Sequence, residues 1–409
     1  MTAVEPPDLR AITEADVYID DALSGKLTRQ SQDSITFDYL PAEPSTESSV
    51  RDRSVSWSLL RTDEYPRTAT GGAVPPFFAG LLPEGVRLGV VTSSTKTSAD
   101  DHLTLLLAVG ADTIGNVRVV PAGIPPPARL PMFQPDRDND FRAVYAKLTG
   151  SLDADPVGLA GVQPKVSALT WSTTTRTSAG PAILKLGPAQ FPLLVENEHF
   201  FMRMAAACGL RVPRTSVLRD ANGHSALMVT RFDRDRETRI AQEDACQVGG
   251  SYPASKYRIK TETAINTLAD ACARGGGSKA TAVLELLKTV VFSWLIGNGN
   301  LHGKNLSIYK PRGIWQPTPA YDLLTTQPYA SWNDPMALNL FGRANKLDRA
   351  HFLYAAEQLG LRSRAPSRMI DSIVQAAGEW PDRCAEIGFD TRQTASLADM
   401  LRARIETLK

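Results

Sequence analysis

Positions 300 to 305 read N-L-H-G-K-N, and Tyr321-Asp322-Leu323 follows a short distance later. A catalytic loop of the form D-x-x-x-x-N places a proton-accepting carboxylate and a magnesium-binding amide on one side of a turn. Here Asn305 fits the magnesium-ligand position. Asp322 fits a second metal ligand, where a hard cation calls for a carboxylate. Asn300 occupies the position of the proton acceptor. The chemistry these residues point to is phosphoryl transfer, which also needs a lysine on the nucleotide phosphates and a loop that covers them.

Lys185 lies near the end of a β-like run, Pro181–Leu186, and fits the phosphate-pairing lysine. Glu198, in the first turn of the next helix, fits an ion-pair partner for it; a carboxylate favouring the helix dipole fits that place equally well. Residues 158–165, G-L-A-G-V-Q-P-K, supply Gly161, Gln163 and Lys165 to a candidate phosphate loop, although a plain turn explains the stretch as well. His302 suits either a γ-phosphate contact or a packed core histidine. Lys304 suits either charge neutralisation or a solvated loop.

The elements around these residues follow from periodicity. Short alternating runs at 16–19, 34–39 and 55–60 predict a small antiparallel sheet, followed by helical patterns from Pro75 and over 100–110 and a strand at 116–121. Proline-rich 121–131 reads as a linker. Residues 140–150 suit a short helix. The runs 166–171 and 181–186 predict a hairpin joined by a Ser/Thr-rich turn at 172–180, and 197–208 an amphipathic helix closed by Gly209. Runs at 210–218 and 225–232 read as further strands. From Asp233 the pattern is mostly helical, with final helices near 348–359, 367–379 and 391–408. The expected division is 1–130, 131–232 and 233–409.

Composition is that of an ordinary soluble globular protein: 409 residues, 43% apolar, 22% charged, net charge +1. That balance argues against non-specific nucleic-acid or membrane binding as the main occupation. Cys208, Cys246, Cys272 and Cys384 are widely spaced and read as buried free thiols of a reducing cytosol. The N-terminus has no signal-peptide pattern, and the apolar stretch 280–297 carries Glu285 and Lys288, which marks a core helix.

Taken in order, several motifs resemble the HipA family, the toxin kinases of HipA–HipB toxin–antitoxin modules. They are F-F-A-G-L-L-P-E-G (77–85), L-L-L-A-V-G-A-D-T-I-G-N-V (105–117), L-A-G-V-Q-P-K (159–165), I-L-K-L (183–186), V-E-N-E (195–198), G-L-R-V-P (209–213), R-F-D-R (231–234), Q-E-D-A-C-Q (242–247), W-L-I-G-N-G-N-L-H-G-K-N-L-S (294–307) and P-A-Y-D-L-L (319–324). The resemblance implies an α+β, bilobal protein-kinase-like fold with an extra N-terminal α/β subdomain and an all-helical C-terminal lobe. It implies Mg-ATP (ATP and Mg2+) as cofactor, protein serine/threonine phosphorylation as activity and the cytoplasm as location. An aminoacyl-tRNA synthetase would be the kind of substrate, with growth arrest the result. The implied partner is a HipB-like helix-turn-helix antitoxin, through which any DNA contact would mainly run.

By motif position Lys185 would bind phosphates, Asn305 and Asp322 the metal, and Arg231–Phe232 would lie at the hinge near adenine. Gln247 and Asp244 would sit near the cleft. Two positions depart from the family. Asn300 replaces its catalytic aspartate, and Gly158 stands where several members carry an autophosphorylated serine. Asn300 keeps the size of aspartate and loses its charge, so nucleotide binding is expected to survive and transfer to fall by ~10²–10⁴-fold. An engineered or otherwise recent Asp→Asn change accounts for it. So does a natural ATP-binding pseudokinase acting as a regulatory or antitoxin-sequestering protein.

Overall fold

The computed structural model describes residues 8–31, 34–41, 54–127, 140–149, 170–177, 180–236, 238–330, 332 and 334–409. The candidate phosphate loop with Gly158, Gly161, Gln163 and Lys165 lies outside the described residues, as does much of the proline-rich linker.

The chain opens with a five-stranded antiparallel sheet in the order β4-β3-β2-β1-β5: β1 (Glu14–Ile19), β2 (Ala22–Ser31), β3 (Ser34–Tyr39), β4 (Arg67–Thr70) and β5 (Val117–Pro121). Ala15, Val17, Leu27, Ile35, Phe37 and Val119 are wholly buried. Three helices, α1 (Pro76–Gly80), α2 (Gly85–Thr95) and α3 (His102–Val109), follow β4, and Phe77, Phe78, Leu103 and Leu106 join the same core. Strand β2 has no apolar alternation strong enough to announce itself. Residues 55–60, expected as a strand, form an irregular segment holding one bridge between Ser56 and Leu59. Their polar groups are spent elsewhere: Ser56 Oγ and the Trp57 amide both donate to the buried carboxylate of Glu243.

A second antiparallel sheet runs β6-β7-β9-β8: β6 (Trp171–Thr177), β7 (Gly180–Leu186), β8 (Thr215–Arg219) and β9 (Ser225–Thr230). The Ser/Thr-rich stretch expected as a turn is largely β6 itself, because β-branched threonines suit a pleated, half-buried surface. Ala182, Leu184 and Leu186 bury one face of β7 against Trp171, Ala226, Met228 and helix α4 (Phe141–Thr149). The two-residue period then turns Lys185 to the other face. There Val195 of helix α5 (Leu194–Ala207) packs against Leu227 and Val229.

The remainder is mostly helical: α6 (Ala245–Val248), α7 (Thr261–Arg274), α8 (Lys279–Leu295), α9 (Arg349–Gln358), α10 (Arg364–Ala377) and α11 (Thr391–Leu408). The all-helical expectation is qualified by a ribbon of β10 (Arg234–Asp235) and β11 (Thr238–Arg239) and by a three-stranded sheet of β12 (Gln242–Asp244), β13 (Ser307–Tyr309) and β14 (Gln316–Pro317). Helix α8 is the spine of the largest core, with Leu287, Val290, Val291, Phe292 and Leu295 wholly buried. All four cysteines are free and buried. Among the described residues, no helix is long and apolar enough to cross a membrane.

Candidate active site

Helix α8 delivers the loop. It stops at Gly297, whose φ of +69° lies in the left-handed region. The Gly297 amide donates to Trp294 O (3.1 Å) and the Asn298 amide to Ser293 O (2.9 Å), the paired bonds of a Schellman cap. The chain therefore leaves α8 sharply, and its next residues are fixed by asparagines. Asn298 Oδ1 accepts the Asn300 amide at 2.8 Å, and Asn305 Nδ2 donates to Asn300 O at 2.9 Å. Asn298 Nδ2 reaches Asp322 O at 3.4 Å. One polar chain thus ties positions 298, 300, 305 and 322 together, with Asn298, Asn300 and Asn305 all buried.

Lys185 meets this group from β7. Its ammonium bonds Glu198 Oε1 at 2.7 Å and also the Asp322 carboxylate. Burial alone would lower the lysine's pKa, but Asp322 and Glu198 outweigh it and hold the group cationic, above its ordinary value. Burial raises the Glu198 pKa, which Lys185 opposes. Asp322 has a φ of +54°, an uncommon backbone for a residue with a Cβ, and such residues cluster at functional sites. Helix α5 is anchored beside it: Asn197 Nδ2 donates to Thr325 O (2.9 Å) and Asn197 Oδ1 accepts the Thr325 amide (3.1 Å).

The donor chemistry suits a hard cation. Asn305 spends its amide nitrogen on Asn300 O, so Oδ1 is the atom it could offer a metal ion, and Asp322 has a carboxylate to offer. Magnesium favours such oxygens and fills its other positions with water and phosphate oxygens.

His302 and Lys304 are occupied differently. The His302 ring is buried edge-on to Tyr257, with centroids 5.1 Å apart. Burial, with Lys256 adding to it, pushes its pKa down to about 4, so the ring is neutral at neutral pH. Lys304 Nζ donates to Gly80 O at 3.0 Å and lies 3.3 Å from Glu84, both in the N-terminal unit. Glu84 also takes Lys256 at 2.5 Å. Burial would lower the Lys304 pKa, but Glu84 and Asp244 raise it further.

Two other expected residues make structural bonds. Arg231 is buried in an ion network, with Asp233 at 2.7 Å and Asp112 at 3.2 Å. Gln247 closes a capping box with Asp244 at the start of α6 and donates to Phe77 O at 3.1 Å. Among the described residues these bonds lead to neither Lys185 nor Asp322. Phe232 packs near Tyr321 (5.8 Å between centroids) and Tyr309 (5.9 Å). Tyr321 in turn donates to Lys304 O at 2.7 Å.

Sequence reasoning missed the brace behind the loop. Thr326 Oγ1 accepts the Gly299 amide (2.9 Å) and donates to Asp334 (2.5 Å), while Gln327 Nε2 spans Gly297 O (3.3 Å) and Asp334 O (2.7 Å). A Cβ on Gly299 would lie 1.8 Å from Asp334 Oδ2, so the brace demands glycine there. The only local signal was the glycine spacing G-N-G; the bracing residues lie some thirty positions on.

The chain matches known proteins over most of its length. Residues 15–120 match the family model "HipA N-terminal domain", and residues 157–380 match "HipA-like C-terminal domain". A relative from Sinorhizobium fredii, "Putative kinase Y4mE", is 30% identical over 419 residues, covering 96% of this chain and 98% of its own. The "Serine/threonine-protein kinase toxin HipA" of Shewanella oneidensis is 26% identical over 354 residues, covering 78% of each. Among solved structures, a chain from the Shewanella oneidensis MR-1 HipA, HipB and operator DNA complex superposes with a TM-score of 0.73 at 20% identity, covering 96% of this chain and 97% of that one. That likeness shows the fold.

Proposed function

This chain belongs to the HipA family, and on that premise we propose that it is an ATP-dependent serine/threonine protein kinase of the toxin–antitoxin type, slowed by Asn300. The observation that carries the reading is the convergence of Lys185, Glu198 and Asp322 beside the Asn300–Asn305 turn.

In this reading Lys185 holds the nucleotide phosphates and Glu198 keeps its ammonium aimed. Asn305 and Asp322 hold magnesium, which when bound neutralises charge on the phosphates. Asn300 accepts a hydrogen bond from the substrate hydroxyl without taking its proton. Lys304 fixes the loop against the N-terminal unit, and His302 packs as a neutral ring. Gly161, Gln163 and Lys165 cover the phosphates, Arg231 and Phe232 frame the adenine end, and Gln247 and Asp244 support the cleft floor. The finer assignments rest on the family: a serine or threonine of a translation protein such as an aminoacyl-tRNA synthetase as substrate, a HipB-like antitoxin as partner, DNA reached mainly through it, and action in the cytoplasm.

The test follows γ-phosphate from labelled ATP into bacterial proteins for the parent and Asn300→Asp. Transfer that rises sharply in Asn300→Asp, with growth arrest on expression, supports the proposal. Nucleotide binding without transfer in Asn300→Asp sinks it.

A further inference from the structure

On the C-terminal lobe a cavity of about 1020 Å³ opens between α8, the start of α10 and the loop residues Asn305–Ser307. Its charge is one-sided. Arg211, Lys288, Arg362, Arg364 and Arg368 line it, against the single carboxylate of Glu285. Five cations against one anion leave four positive charges in one groove, whereas the whole chain carries +1.

Two of the cations have internal work. Arg211 pairs with Glu285 at 2.5 Å and donates to Pro317 O, and Lys288 donates to Gly209 O. Arg362, Arg364 and Arg368 are exposed and make no ion pair or side-chain hydrogen bond with the described residues, and Asp371, one turn beyond Arg368, is taken by Arg349. Arg364 and Arg368 stand four residues apart on α10, so one helical row presents both to the groove. Clustered like charges repel one another, so three arginines without a paired carboxylate are stabilised by an anionic ligand.

The floor decides which kind of anion. Leu284, Leu361 and Met369 line it, and no aromatic side chain does. Single-stranded nucleic acid is held by stacking on aromatic rings, and a duplex offers phosphates without apolar anchors. A concave aliphatic floor under an arginine rim matches instead the recognition of an amphipathic, acidic peptide. We propose that this groove docks an acidic peptide segment of a partner protein, its apolar side chains on the floor and its carboxylates on Arg362, Arg364 and Arg368. Asn305, Leu306 and Ser307 also line the cavity, so the groove adjoins the candidate catalytic loop, while its arginine rim lies on the segment 362–368.

The experiment uses the full chain and a fluorescein-labelled peptide of about 14 residues, long enough to form a helix, with leucine on one face and glutamate on the other. Anisotropy titration is expected to show saturable binding that weakens with added salt. Binding should fall roughly tenfold or more in Arg364→Glu/Arg368→Glu, and to a smaller extent in the milder Arg364→Gln/Arg368→Gln. Unchanged thermal unfolding of both variants shows that the fold is intact. The lysine-for-glutamate peptide should not bind. Absence of binding by the acidic peptide overturns the proposal. So does binding indifferent to both double variants, or capture of duplex DNA by these arginines in place of the peptide.

Discussion

Glu84 of the N-terminal unit lies 3.3 Å from Lys304 of the candidate catalytic loop and takes Lys256 with its other oxygen. The two lysines would repel each other without that carboxylate. Glu84→Gln should therefore lower stability by about 1–2 kcal/mol, the range of charge-assisted bonds screened by partial exposure. Urea unfolding reads the loss. An unchanged midpoint would show that the lysines are satisfied without Glu84.

Lys185 is the cation shared by Glu198 and Asp322. Lys185→Met leaves two facing carboxylates unneutralised and removes a charge-assisted donor to phosphate. Affinity for a non-hydrolysable ATP analogue with magnesium is expected to drop roughly 10–100-fold, the binding equivalent of about 1.5–3 kcal/mol. Equilibrium titration by calorimetry measures it. Retained affinity would place the nucleotide elsewhere.

Asn300→Asp restores a proton acceptor where the backbone is already fixed by Asn298 and Asn305. Turnover should rise by ~10²–10⁴-fold while analogue affinity stays nearly constant. A change in affinity without a change in turnover would remove position 300 from the proton-transfer role.

Glu243 predicts a pH dependence. Burial raises its pKa from 4.5 to about 8, opposed by its bonds from Ser56 and the Trp57 amide. The folded state thus holds a proton that the unfolded chain releases near pH 4.5. Its contribution is complete below about pH 4.5 and is lost as pH rises through about 8. Glu243→Gln should flatten the fall in thermal midpoint across that window, followed by scanning calorimetry. A fall of equal slope in the variant would assign the effect to other groups.

What the sequence revealed was whatever repeats at short range. The apolar run of α8, the alternation that turns Lys185 away from Leu184 and Leu186, and the closing glycine at 297 are all local patterns. Strand β2 and the threonines of β6 escaped because their polar composition resembles that of turns. The brace of Thr326, Gln327 and Asp334 escaped for a different reason: hydrogen bonds across thirty residues leave no periodicity. Arg231 and Gln247 sit in family motifs, yet Arg231 bonds Asp112, Asp233 and Thr113 O, and Gln247 bonds Asp244 and Phe77 O. A motif marks that a residue matters before it shows which neighbour needs it.

Among the bonds that join the N-terminal unit to the rest of the chain, one group lies beside the candidate catalytic loop: Phe77 O takes Gln247, Gly80 O takes Lys304, and Glu84 takes Lys304 and Lys256. A chimera joined near residue 130, taking its two parts from divergent relatives, would inherit mismatched halves of these bonds next to its candidate catalytic loop. The two parts are therefore constrained to travel and diverge together, and successful exchange between relatives should favour crossover points that keep residues 77–84 with residues 247–304.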